Sequence, residues 1–175
     1  MDSQTNKDFY NDAMYNGTIL GAVWSITYLL LFAGATNMLS MFLCLTLYIA
    51  SPFIAARLAV NYRYKKCDNT MNFAQAWVFI LYMYICATLL STLTTYIYFS
   101  FFDNGTFLAT LQKMLEESMS IAGTDEQLTK QIEQTKNIID NTTSSNFVWQ
   151  IMSNNLTNTT IIPIIIALFV KRKDK

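Results

Sequence analysis

The chain has no histidine, and only five glycines, two prolines and three cysteines in 175 residues. Without imidazole there is no His-based zinc site, no Ser or Cys triad working through a histidine base and no histidine proton relay. The glycines stand singly, so no glycine-rich loop is available to cradle a phosphate. Paired carboxylates occur only as Glu116-Glu117 and Asp125-Glu126. On a helix such neighbours point to different faces, which fits a solvated surface better than acid/base chemistry. Cys44 and Cys86 fall inside apolar runs and Cys67 in a basic segment, so no disulfide framework is expected. From these absences we expect no enzyme, no metal site and no cofactor.

What is present is apolar surface. Hydrophobic residues make up 53% of the chain and charged residues 14%, too apolar a balance for an ordinary soluble domain of this length. The formal net charge of zero hides a segregation. Arg57, Arg63, Lys65 and Lys66 crowd one segment, and Lys171, Arg172, Lys173 and Lys175 follow the last apolar run. Short Lys/Arg-rich segments stay on the cytoplasmic side of a membrane. Residues 103–146 instead carry Asp103, Glu116, Glu117, Asp125, Glu126, Glu133 and Asp140 against Lys113, Lys130 and Lys136, and belong outside. With both basic ends inside, an even number of spans must separate them.

The expected architecture is all-α: a polytopic membrane protein with four transmembrane helices, N-in and C-in, forming one domain over residues 1–175. The spans are expected at about 17–35, 38–58, 73–102 and 149–170, each long enough for a hydrocarbon core of roughly 30 Å. The polar N-terminus, with Phe9, Met14 and Tyr15, reads as a short lead-in along the membrane surface. It lacks the features of a cleaved signal, so span 1 is expected to be an uncleaved anchor. Thr36 and Asn37 make the first turn, Pro52 bends span 2, and Asn72 caps span 3. Tyr96, Tyr98, Phe99, Phe101 and Phe102 at the end of span 3 resemble an interfacial aromatic belt. Residues 103–146 are expected to form an extracytoplasmic amphipathic helical hairpin over the outer ends of the spans. Phe107, Leu111, Met114 and Leu115 mark one apolar face and Leu128, Ile132 and Ile139 the other. Gly123 is placed as a stop and Thr124 with Gln127 as a capping box, and the polar linker 141–146 follows. Five Asn-x-Ser/Thr sequons are expected by chance in so asparagine-rich a chain and are assigned no glycans.

Three residue groups are candidate sites, each with two readings. Gly17, Gly21 and Ser25 recur every four residues, the small-residue spacing that lets membrane helices approach closely, either within the chain or between copies. Gln150, Asn154, Thr157 and Asn158 share a face of span 4. They are expected to oppose the hydroxyl stripe Thr88, Ser91, Thr92 and Thr95 of span 3, either as a helix contact or as an uncharged polar pocket. Arg57, Arg63, Lys65 and Lys66 either set topology alone or also hold an anionic lipid head group. No span has an acid or base near its middle, which argues against proton-coupled transport.

The run Tyr62-Arg63-Tyr64-Lys65-Lys66, then Met71-Asn72-Phe73-Ala74-Gln75-Ala76-Trp77 opening a span, resembles the entry to the third helix in an uncharacterised family of small four-helix bacterial inner-membrane proteins. The long aromatic-ended third span, the acidic outer insert and the close on Ile166, Ala167, Leu168, Lys171, Arg172 and Lys173 are similar too. The resemblance implies fold, topology and a multi-pass place in the bacterial inner membrane, with no catalytic residue to carry over. Where family members often have Asn-Pro after span 3, this chain reads Phe102-Asp103-Asn104-Gly105. The function expected is a non-enzymatic accessory or scaffold subunit. Its partners would be the lipid bilayer and a membrane protein or a second copy, with no nucleic acid. The alternative is a small carrier or binder of lipid or uncharged solute through the amide face of span 4.

Overall fold

The computed structural model describes residues 3–122 and 126–172. It is built from six helices: α1 (Ser3–Ala33), α2 (Met38–Lys66), α3 (Phe73–Phe101), α4 (Thr106–Ala122), α5 (Glu126–Asp140) and α6 (Ser144–Val170). Among the described residues there is no strand, only one isolated bridge between Met71 and Arg172. Four of the helices, α1, α2, α3 and α6, are long and apolar enough to cross a membrane. The central span is α3, the most buried, with α1 packed on one side and α6 on another. The least covered span is α2, which lies chiefly against α1.

Two of the helices run on past the expected spans where nothing stops them. No proline interrupts the N-terminal segment, and the lead-in is continuous with span 1 rather than a separate surface piece. Phe9 stands edge-on to Phe79 at 5.5 Å and to Tyr62 at 6.0 Å. Similarly α2 runs two turns past residue 58, so the basic residues lie on the end of a helix and not in a loop. Cations in a last helical turn oppose the partial negative charge of the free carbonyls there, which favours this continuation. The connection proper is residues 67–72. It turns through Asp68 (φ 45°) and Asn69 (φ 60°), two residue types that tolerate the left-handed region. Asn72 then closes a capping box with Gln75, each side chain accepting from the other residue's backbone N–H, at 2.9 and 3.1 Å.

The turn into α4 is organised by Asp103, which is buried. Its Oδ1 accepts from Phe107 N at 2.8 Å and its Oδ2 from Gly105 N at 3.1 Å. Gly105 takes φ 81°, a value that glycine adopts without steric cost. The expected hairpin of α4 and α5 is present. The two helices pack chiefly on each other rather than over the spans, and are clipped by Gln112 to Asp140 and Lys136 to Glu116, both at 2.9 Å. Among the described residues of the hairpin, the first turns of α4, through Phe107 and Leu111, join the cluster around Phe32, Phe99 and Val148. The proposed stop at Gly123 and capping box at Thr124 lie outside the described residues. The linker is shorter than 141–146 because Thr143, accepting from Asn146 N, starts α6 at Ser144.

Candidate functional site: an uncharged seam and cavity among the spans

The small residues of α1 face α3. A Cβ added at Gly17 would stand 2.7 Å from the Met83 carbonyl oxygen, and one at Gly21 3.0 Å from Ala87 Cα. Ser25 Oγ is 3.0 Å from Thr94 Oγ1. This stripe therefore packs within the chain, where hydroxyl pairs and close backbones hold membrane helices together.

Across α3, the hydroxyl stripe meets α6. Thr88, Ser91 and Thr95 are fully buried. Thr88 Oγ1 lies 3.1 Å from Thr159 Oγ1. Ser91 and Thr95 donate back to the carbonyls of Thr88 and Ser91, and Thr92 Oγ1 is buried without a partner. The face of α6 that opposes them is not the expected one. Gln150, Asn154 and Thr157 are exposed, while Val148, Asn155, Thr159, Pro163, Ile166, Ala167 and Val170 are buried. The helix is turned by about one residue from the sequence-based reading, so Asn155 occupies the place given to Asn154. The smaller Thr159 and Ala167 allow the close approach to α3 that a row of amides would obstruct.

Between α1, α2, α3 and α6 lies a cavity of about 330 Å³, near the midpoints of α2 and α6. Its walls include Trp24, Tyr28, Ser51, Pro52, Tyr84, Asn155 and Asn158, with no charged residue among them. Tyr28 OH donates to Asn155 Oδ1 at 2.8 Å, and Trp24 Nε1 donates to Ser51 Oγ. Trp24 stands edge-on to Tyr84 at 5.4 Å. Two buried polar atoms in this wall, Asn155 Nδ2 and Tyr84 Oη, have no partner. Of the predicted amide face only Asn158 reaches the cavity. Trp24, Tyr28, Ser51, Tyr84 and Asn155 were missed. Tyr28 and Asn155 are 127 residues apart, and no spacing in the sequence links them.

The basic group divides. Arg57, Lys65 and Lys66 are exposed, with Lys66 Nζ 3.9 Å from Asp12. Arg63 is buried, and its Nη1 donates to the carbonyl of Val170, the last residue of α6. It thus packs against a helix end, whereas the other three basic side chains face outward. Beside it, Met71 and Arg172 exchange two backbone hydrogen bonds of 2.8 Å. Replacing Arg63 by Leu should leave the α6 terminus unpaired and cost about 1.5 kcal/mol, within the usual span for hydrogen bonds to charged groups. Thermal melting of the purified protein in detergent checks this, with Lys65→Leu on the exposed side expected to change little.

Three long apolar helices about a fourth, joined by uncharged polar contacts, make the fold that of a small multi-pass membrane protein. The chain matches the family described as "Protein of unknown function (DUF4199)" over residues 15–172 and belongs to it. No curated protein and no solved structure matches the chain.

Proposed function

We propose that the protein is a non-enzymatic accessory subunit of a membrane assembly, lying N-in and C-in in a bacterial inner membrane. The observation that carries the reading is the outward face of α6. Gln150, Asn154 and Thr157 are exposed there. Their neighbour Asn155 bonds Tyr28, five residues before the end of α1, which puts this face roughly 8 Å inside that end at 1.5 Å per residue. Amides at such depth are stabilised by pairing with another polar group, because lipid tails offer none. A partner helix with polar residues of its own supplies that pairing. The acidic hairpin projecting beyond the spans adds a second, water-side surface to the same subunit.

A photo-crosslinking residue at position 154, activated in native membranes, tests the proposal. A discrete protein adduct that Gln150→Leu weakens is the expected result; labelling of lipid alone refutes it. Orientation is checked separately in a chain whose Cys44, Cys67 and Cys86 are serine. Gln134→Cys should react with an impermeant maleimide in intact cells, and Lys65→Cys only after permeabilisation. The opposite pattern inverts the topology.

A further inference from the structure

We infer that the cavity among the four long helices is a binding site for an uncharged, mostly apolar molecule bearing a carbonyl oxygen, taken up sideways from the bilayer. The inference stands on the cavity alone and does not depend on the subunit reading. With about 330 Å³ the space lies at the low end of the range for small-molecule sites. The wall is largely aromatic and aliphatic, and the absence of charge in it disfavours an ion or a phosphate-bearing head group.

The polar groups in the wall select an acceptor. Tyr28 donates to Asn155 Oδ1, which fixes the amide with its Nδ2 as a free donor. Tyr84 Oη is also unpartnered. Asn155 and Tyr84 are 8% and 1% exposed, so water outside the protein satisfies neither. Unpartnered donors in the wall of one cavity suit a ketone, quinone or ester oxygen as acceptor, and a plain hydrocarbon would leave them unpaired. The route is set by α2. Tyr48, Ile49 and Phe53 line the cavity and are themselves well exposed. Entry is therefore from the lipid side, between α2 and α6, rather than from either aqueous end.

The test uses the full chain in detergent with Trp77→Phe and Trp149→Phe, leaving Trp24 in the cavity wall as the sole tryptophan, excited selectively over the tyrosines. A decyl-benzoquinone supplies ring carbonyls, and a bromodecyl-benzene of similar size supplies a quencher without them. Saturable quenching by the quinone is expected, with weaker binding of the bromo compound. Tyr84→Phe, which removes only the hydroxyl, should raise the quinone Kd roughly fivefold, the equivalent of one neutral hydrogen bond. Asn155→Leu should raise it further. Equal affinity for both probes, or a Kd unmoved by Tyr84→Phe, overturns the recognition of an acceptor; no saturable quenching by either overturns the site itself. Mass spectrometry of lipids extracted from the wild type and from Asn155→Leu identifies the source. An ester-linked lipid or an isoprenoid quinone lost in the variant supports the assignment, and identical extracts count against it.

Discussion

Phe32→Ala should cost about 3 kcal/mol, at the lower end of what truncating a buried aromatic residue does, and should melt the α4 end of the bundle before the rest. Phe32 is 5% exposed and sits at the centre of a ring cluster drawn from four helices. Its centroid lies 5.0 Å from Phe99, 5.2 Å from Phe107, 5.4 Å from Tyr98 and 5.8 Å from Tyr28. Phe99 and Phe107 meet it edge-on and Tyr28 and Tyr98 stack on it, arrangements that add to simple burial. In a bilayer, lipid tails are as apolar as the side chain, so transfer out of water is a minor part of the loss. The hole left among Phe99, Phe107 and Phe147 is the major part, because neighbours anchored on separate helices cannot collapse into it. Hydrogen exchange on the detergent-solubilised variant should show lost protection near Phe32, Phe99 and Phe107, and near-native protection around Ala59 and Phe79. Uniform loss would mean that the bundle has one cooperative core and that the cluster around Phe79 does not stand without the one around Phe32.

That two separate clusters exist was only half legible in the sequence. Long uncharged runs give the number of spans directly, since any helix in hydrocarbon must be about that long and that apolar. Local chemistry was legible too: Asn72 was readable as a helix start because capping depends on the residue at the helix entry, and the structure adds Gln75 as the other half of a capping box. Which face of a span turns inward is a different matter. Soluble helices announce their buried face by polarity, whereas a membrane helix is apolar on the lipid side as well. Gln150, Asn154, Thr157 and Asn158 looked like an inner face because they were polar. The structure instead buries Asn155 and Thr159, whose partners Tyr28 and Thr88 lie on other helices. The same blindness hid the Arg63 contact. A basic residue near the end of a span is read as a topology signal, and nothing local tells that it reaches Val170. Close packing was the exception, because glycine every fourth residue is a spacing signal rather than a polarity signal.

Gly17→Ile supplies the sharpest test of that packing. The Cβ alone would lie 2.7 Å from the carbonyl oxygen of Met83 and 2.8 Å from Cys86 Cβ. A backbone carbonyl inside α3 cannot turn aside, so α1 must retreat from the helix on which the whole bundle is assembled. A β-branched residue adds two further carbons at the same spot, with few rotamers by which to avoid the contact. Overpacking of this kind costs about 1–3 kcal/mol, and we expect the upper part of that range because the obstacle is main chain. Gly21→Ile should act similarly, with Ala87 Cα and Leu90 Cβ both 3.0 Å from the new Cβ. Ala22→Ile, exposed on the other face of α1, should leave the melting temperature in detergent nearly unchanged. A different outcome would be as informative. If Gly17→Ile left the monomer's melting point intact but abolished crosslinks between chains in membranes, the small-residue stripe would be a surface between copies. Because α3 already fills the space beyond Gly17 and Gly21, we expect destabilisation of the single chain.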